Sequence, residues 1–277
     1  MEQTLPKRIP FISFWSDRFK SIKRNKQLTK QLLYLSLTEQ YKKTILGSMW
    51  LFINPVLSVF IWLIMNYSGI YNPGETEIPY VGYILLSMSI WLFFTSFFKH
   101  LATSVTESGR MLMEAPFEME VKIVEKTLLN IVNFAIPLSI NIVILLVLGV
   151  RFDWSALLFL PALIPLMLVG ISIGVFFSLI EVVFNDIYLI VNQGMNVLMF
   201  LTPVVYTTNV DSELLQTVIK YNPLSYLINV PRNLLVGGPI DDLTGYWIAS
   251  AVAVILFIAV IHFFFNSVYK IVERIFE

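Results

Sequence analysis

The chain contains no cysteine among its 277 residues. This excludes disulfides, thiolate catalysis and cysteine-ligated metals, but it does not indicate a compartment, because either side of a membrane is compatible with it. Charge is scarce too: 14% of the residues are charged, and 19 basic residues balance 19 acidic ones. A chain without net positive charge has no general attraction for nucleic acid. We therefore expect no nucleic-acid partner.

Catalytic and nucleotide-binding signatures are also absent from the sequence. It has no G-x-x-x-x-G-K-[ST] phosphate loop, no G-x-S-x-G elbow and no H-E-x-x-H metal motif. Its two histidines, His100 and His262, are far apart in the sequence, which disfavours a shared metal site. We therefore predict that this chain is not an enzyme and binds no cofactor or metal itself.

Long apolar segments are what the sequence does have. Apolar residues make up 57% of it and the mean hydropathy is +0.74, whereas soluble proteins contain roughly 45–50% apolar residues. A helix needs about 20 apolar residues to cross the hydrocarbon core. The sequence predicts an all-α integral membrane protein with six transmembrane helices, located approximately at residues 49–70, 80–98, 128–149, 155–180, 187–206 and 246–268.

The distribution of lysine and arginine predicts the orientation. With both ends on one side, 16 basic residues lie on that side and three on the other. Because basic residues are retained in the cytoplasm, we expect a multi-pass protein with cytoplasmic N and C termini. The first 25 residues contain no long apolar run, so they do not resemble a cleaved signal peptide.

Two domains follow from this pattern. Residues 1–48 form a cytoplasmic N-terminal segment, and residues 49–277 form the six-helix transmembrane domain. Residues 26–46 have leucines at helical spacing and several lysines, which predicts an amphipathic interface helix against membrane lipid. Residues 207–245 contain two apolar stretches too short to span, which predicts short external re-entrant helices between spans 5 and 6.

The cytoplasmic segment 99–127 contains a second amphipathic stretch. Phe117 and Val121 lie on one predicted helix face, whereas Glu118 and Lys122 form an i,i+4 pair of favourable order on another. Either a partner or the membrane is expected to cover the apolar face.

Aromatic side chains are frequent in spans whose middles carry almost no charge. Trp62 and Tyr67 lie on the first span, and Phe200 and Tyr206 on the fifth. Such rings are typical of interfacial belts. The alternative is that some line a passage, because the C–H faces of sugars stack on aromatic rings.

Four motifs occur in order over some 200 residues: QYKKTILGSMWLFINPVL (40–57), FNDIYLIV (184–191), LTPVVYT (201–207) and YNPLSYLINVPRNLLVGG (221–238). With them the chain resembles the permease subunit of ABC exporters for bacterial cell-surface polysaccharides, the Wzm type that exports lipid-linked O-antigen. It departs from the family pattern at Gln40 and Asn185, where Arg is common, and in an acidic segment at residues 111–125.

The resemblance implies a homodimer in the bacterial cytoplasmic (inner) membrane, assembled with two copies of an ABC ATPase subunit that binds ATP and Mg. It implies lipid-linked polysaccharide as the substrate and places the channel beside the first and fifth spans. The residues expected to act are Trp62, Tyr67, Phe200 and Tyr206 in the substrate channel, Tyr41, Lys42, Lys43 and Gly47 in the interface helix or gate, and Glu114, Phe117, Glu118, Val121 and Lys122 in ATPase coupling.

Three other functions remain open at the sequence level. The same motifs suit export of teichoic acid or capsular polysaccharide. An integral membrane enzyme acting on polyprenyl-linked sugars would need interfacial acids, for which Glu181 and Asp186 are the one candidate pair. A passive scaffold would have no reason for interrupted external segments.

Overall fold

The computed structural model describes residues 11–42, 46–108, 118–208, 212–240 and 242–276. These residues form helices joined by short connections, with no β-strand among them. We number the helices α1 (Phe11–Arg24), α2 (Lys26–Lys42), α3 (Trp50–Tyr67), α4 (Tyr80–Ala102), α5 (Met119–Val147), α6 (Phe159–Ala162), α7 (Ile164–Glu181), α8 (Asp186–Phe200), α9 (Glu213–Tyr221), α10 (Pro223–Val236) and α11 (Leu243–Phe276), with 3₁₀ turns at Gly47–Met49 and Trp154–Leu158.

Four helical segments have the length and apolar composition needed to cross a membrane: Tyr80–Ala102, Met119–Val147, Trp154–Glu181 and Leu243–Arg274. They coincide with four of the six predicted windows, so the all-helical membrane architecture is confirmed. The other two windows contain α3, with 18 residues, and α8, with 15. Six spans therefore stay a prediction.

Helix α4 is the centre of the bundle. It packs against α5 on one side and against α7 on another, and α11 packs on α7. The contact between α4 and α7 is close because α7 presents Gly170 and Gly174, one turn apart. An added Cβ at Gly174 would lie 2.7 Å from the Leu101 Cβ and 2.8 Å from the Phe97 carbonyl oxygen. Small residues at this spacing let two helix backbones approach each other.

The first and last helices meet at one end of the bundle, which we call the α1 end. The ring of Phe14 in α1 lies 6.1 Å from that of Phe265 in α11, and the Arg18 guanidinium lies 4.5 Å from the Phe265 ring centre. At the opposite end, the Tyr246 hydroxyl near the start of α11 donates to the Ala162 carbonyl at 3.1 Å. Helix α11 thus runs from the opposite end to the α1 end.

Two short helices, α9 and α10, cover the opposite end. The Asn222 side chain accepts from the Leu224 N–H at 3.0 Å, and Pro223 follows at the first helical position. Gly237, with φ at +72°, ends α10. A polar cap, an early proline and a terminal left-handed glycine are the usual boundaries of a helix. Both helices lie inside the predicted external segment 207–245, and their placement relative to a membrane stays a prediction.

Replacement of Gly174 by alanine should destabilise the bundle. The new methyl group has to displace the α4 backbone, and overpacking of this kind costs about 1–3 kcal/mol. Gly194 in α8 is the matched control, since an added Cβ there meets nothing within 4 Å. Thermal unfolding of the two purified variants in detergent should show a lower midpoint for Gly174→Ala only, and equal midpoints would contradict the close packing.

Candidate functional site

An aromatic cluster joins α3 to α8 at the end of the bundle opposite α1. The ring of Trp62 lies 5.9 Å from that of Phe200 and 5.7 Å from that of Tyr71. These separations fall within the range of favourable ring pairs, about 4.5–7 Å. Phe200 remains 51% exposed. Two of the four aromatic residues predicted from the sequence are therefore in contact and partly accessible.

The other two predicted rings have different positions. Tyr206 is buried, and its hydroxyl donates to the Phe200 carbonyl at 2.8 Å. Tyr67, at the end of α3, is 93% exposed. Tyr206 thus supports the wall behind the cluster, whereas Tyr67 projects away from the chain.

Residues 201–206 form a non-helical turn after α8, and side chains from elsewhere satisfy its carbonyl groups. The donors are Asn222 Nδ2 to Leu201 at 3.0 Å, Arg232 Nη1 to Pro203 at 3.2 Å, the Tyr71 and Tyr80 hydroxyls to Val205 at 3.1 Å each, and the Tyr83 hydroxyl to Tyr206 at 2.7 Å. Burial, with the nearby Tyr83 and Tyr206, raises the pKa of Tyr71 above its ordinary value. Its hydroxyl accordingly stays protonated and able to donate.

Arg232 is a buried cation at this end, only 4% exposed. Its guanidinium lies 4.2 Å from the centre of the Tyr83 ring and donates to Ser87 Oγ at 3.1 Å and to Asn229 Oδ1 at 2.6 Å. From the sequence, this arginine is only one of three basic residues expected on the external side. The sequence could have indicated its surroundings, because an arginine inside an apolar stretch rarely lies in an apolar environment without several hydrogen-bond partners.

Helix α8 has an exposed pair of amides. Gln193 and Asn196 are both exposed, and Asn196 Nδ2 donates to Gln193 Oε1 at 3.0 Å. Gly194 beside them has no neighbour within 4 Å of an added Cβ. Uncharged polar groups on the surface of an otherwise apolar helix indicate a polar passage or another helix beside it.

At the α1 end, Glu118 connects the start of α5 to α1. It accepts from Asn25 Nδ2 at 2.5 Å, from the Ser21 hydroxyl, and from Arg24, with which it forms an ion pair. Glu118 is thus held by this chain's own N-terminal helix.

Glu120 and Val121, which follow Glu118 closely, are buried within this chain. Glu120 is 2% exposed and forms an ion pair with Arg18. Val121 is fully buried. The apolar position at Val121 is therefore covered by this chain itself, in contrast to the expectation that a partner or the membrane would cover it.

A second group of charges follows one turn later. Lys122 lies 3.7 Å from Glu107 and 3.3 Å from Glu125, and Lys126 lies 2.9 Å from Glu107. Burial alone would raise the pKa of Glu107, but the Lys126 and Lys122 ammonium groups and a Thr103 hydrogen bond outweigh it and hold this pKa below its ordinary value. Glu107 is therefore ionised at neutral pH.

The predicted interface helix corresponds to α2, which packs against α5. Asn133 Nδ2 donates to Gln40 Oε1 across this contact at 3.2 Å. Lys42 at the helix end is exposed, and Gly47, with φ at +53°, begins the turn into α3. The side chain of Tyr41 lies outside the described part of the structure, as do Lys43, Glu114 and Phe117.

The acidic pair considered for an enzyme has unequal surroundings. Glu181 is buried and accepts from the Thr106 hydroxyl, while Asp186 is exposed in the first turn of α8. Glu181 thus has a structural partner, and no observation favours a catalytic role for the pair.

Comparison with known proteins gives consistent results. The family model described as ABC-2 type transporter matches residues 27–236. Two Klebsiella pneumoniae proteins named O-antigen export system permease protein RfbA are 24% and 22% identical to the chain over 204 residues, which is 73% of this chain and 77% of each relative. A Myxococcus xanthus protein of the same name is 21% identical over 227 residues, 81% of this chain and 86% of its own length.

Removal of the Tyr83 hydroxyl should weaken the turn. Tyr83→Phe leaves the Tyr206 carbonyl without this donor, and an unsatisfied buried acceptor costs about 1–3 kcal/mol. Tyr67→Phe is the matched control, because Tyr67 is 93% exposed. Thermal unfolding in detergent should show destabilisation only for Tyr83→Phe. If the two variants unfold alike, the hydroxyl does not stabilise the turn.

Proposed function

Since the chain belongs to the ABC-2 type transporter family, we propose that it is the membrane subunit of an ATP-driven exporter of lipid-linked O-antigen polysaccharide in the bacterial inner membrane. The relatives named as O-antigen export permeases support this cargo over teichoic acid or capsule. The observation that carries the proposal is the contact between Trp62 and Phe200, which leaves two partly accessible aromatic rings where α3 and α8 meet. Such rings can stack on the C–H faces of sugars. In this proposal ATP hydrolysis belongs to a separate ABC ATPase, which agrees with the absence of a phosphate-loop motif from the sequence.

In this proposal α3 and α8 are the first and fifth of six spans. The α1 end faces the cytoplasm, because most basic residues lie in the segments that connect there. Two cytoplasmic termini have to lie at the same end of the bundle, and α1 does lie beside the second half of α11. Helices α9 and α10 then lie at the external surface and re-enter without crossing.

The orientation can be tested in a chain that has no native cysteine. Single cysteines replace four exposed residues: Glu75 and Glu213 at the external end, and Lys23 and Glu273 at the α1 end. A membrane-impermeant maleimide applied to intact spheroplasts should label Glu75→Cys and Glu213→Cys only, and all four after lysis. Labelling of the α1-end positions in intact spheroplasts would reverse the topology.

The passage forms between two copies of the chain, each contributing α3 and α8. The exposed amides Gln193 and Asn196 then face water in the passage, where their hydrogen-bonding capacity is satisfied without lipid contact. Trp62 and Phe200 hold passing sugar rings with weak, non-directional contacts, on the order of the 0.5–1.5 kcal/mol measured for aromatic pairs. Weak contacts suit a polymer that has to slide.

The segment 99–127 couples the ATPase to the passage. Glu118 and Lys122 stand at its described end, and Glu118 is bonded to α1 through Arg24. Movement of this segment would therefore also move the N-terminal helix. Helix α2, with Tyr41 and Lys42 at its end, connects to the passage helix α3 through the Gly47 turn and acts as the gate.

Loss of the two rings should reduce export while ATP hydrolysis persists. Trp62→Leu and Phe200→Leu each remove one stacking surface and should lower export partly, and the double variant should lower it several-fold. Surface polysaccharide would be quantified together with permease level, and ATPase activity would be measured in the purified complex. The ATPase activity should remain, because the rings are remote from the coupling segment.

Trp247→Leu is the matched control, since this tryptophan in α11 is 64% exposed and outside the cluster. It should export at the wild-type level. Wild-type export by the Trp62 and Phe200 double variant would mean that these rings only form an interfacial belt. If deletion of the permease leaves the amount of surface polysaccharide unchanged, the proposed cargo is wrong.

A further inference from the structure

A polar cavity lies at the external end, beside the aromatic cluster. Its volume is about 640 Å³, within the range of roughly 300–1,000 Å³ typical of small-molecule sites. It is bounded by α9, α10, the connection before α4 and the residues that follow the 201–206 turn. Thr207 in its wall comes directly after Tyr206, whose hydroxyl donates to the Phe200 carbonyl, so the turn connects the cavity wall to the aromatic cluster.

One face of α10 supplies much of the lining. Ser225, Asn229, Arg232, Asn233 and Val236 line the cavity and recur at intervals of three or four residues. Such spacing places them on a single side of the helix. Polar groups therefore predominate on the side of an otherwise apolar helix that faces the cavity.

Arg232 orients part of this face. It donates to Asn229 Oδ1 at 2.6 Å and to Asn233 Oδ1 at 3.4 Å. Asn229 thereby keeps its Nδ2 group as a donor for a ligand. The fixed position of the guanidinium over the Tyr83 ring, at 4.2 Å, means that these groups are arranged before any ligand arrives.

Two hydroxyl groups in the wall lack hydrogen-bond partners within the described part of the chain. Ser225 is 2% exposed, and its Oγ has no such partner; the same holds for the buried Oγ1 of Thr207. Buried polar groups are nearly always hydrogen-bonded. The wall of the cavity therefore contains hydrogen-bonding capacity that the described residues do not use.

The charges around the cavity indicate which ligand fits. Glu75, Glu77 and Asp242 line it with carboxylates, against the two cations Arg232 and Lys220. Arg232 already donates to four oxygen acceptors of the protein. A phosphate or an acidic sugar would meet a net negative wall, whereas a neutral hydroxyl-rich molecule can donate to the carboxylates and accept from amides.

We propose that this cavity binds a neutral saccharide unit of the exported chain as it leaves the passage. The assignment rests on the proposed function for the cargo, but it concerns a separate site. The aromatic cluster holds sugar rings by stacking, and the cavity beside it holds them by hydrogen bonds. A segment of the exported polymer that is bound outside the passage is less free to move back through it.

The test uses the full-length permease in nanodiscs. The probe is the neutral oligosaccharide released by mild acid from the surface polysaccharide of the strain that carries the gene, and binding is followed by saturation-transfer NMR. Thr76→Trp fills the cavity from a wall position without touching the Arg232 contacts, and Asn229→Leu removes a donor. Thr217→Trp, on the exposed side of α9 outside the cavity, is the matched control.

The oligosaccharide should bind the wild type and Thr217→Trp equally, and Thr76→Trp and Asn229→Leu at least about tenfold more weakly. Equal binding by Thr76→Trp and the wild type, absence of binding to the wild type, or displacement of the oligosaccharide by inorganic phosphate would each overturn the proposal. Export in cells separates the two proposals. If wild-type permease exports polysaccharide but does not bind the oligosaccharide at this cavity, only the cavity assignment fails.

Discussion

Hydrogen bonding of the 201–206 turn is the constraint on which the external end of the protein depends. A chain that leaves a helix in apolar surroundings exposes carbonyl groups that water does not reach, and each unsatisfied group costs about 1–3 kcal/mol. Here the donors come from the connection after α3, from α4 and from α10. The requirement to satisfy one short turn therefore brings together elements that are more than 100 residues apart in the sequence. Both the aromatic cluster and the polar cavity take their shape from it.

The sequence predicted the helical membrane architecture, because length and composition carry that information. It also named Trp62 and Phe200 among four channel residues; the structure brings these two rings into contact, and their role in a channel stays a prediction. It did not predict the position of Arg232, since a count of basic residues treats every arginine as solvated. It also left Val121 to be covered by a partner or by the membrane. Periodicity shows that an apolar face must be covered but not by what, and Val121 is covered by this chain. Helix α1 was missed for a related reason: Phe14 and Arg18 acquire their roles only when Phe265, about 250 residues later, lies beside them.

The acidic character of residues 111–125 has a counterpart in α1. Arg18 pairs with Glu120, and Arg24 pairs with Glu118. The Arg24–Glu118 pair is largely exposed and adds little stability. Glu120 is buried, and although a buried ion pair also adds little net stability, loss of Arg18 would leave an uncompensated charge. The two pairs consequently determine the orientation of α1 on α5 more than they add to the stability of this contact. Glu118 and Glu120 are thus paired within this chain.

The glycines at 170 and 174 bear on how such a protein can change shape. The backbones of α7 and α4 are nearly in contact at Gly170 and Gly174, with no room for a methyl group between them. Packing this close favours movement of the two helices together, because tightly packed interfaces deform little. A change of shape is then expected to involve α3 and α8, which pack less extensively on the rest of the bundle. The close contact between α4 and α7 in this way leaves the motion to the two helices that carry Trp62 and Phe200.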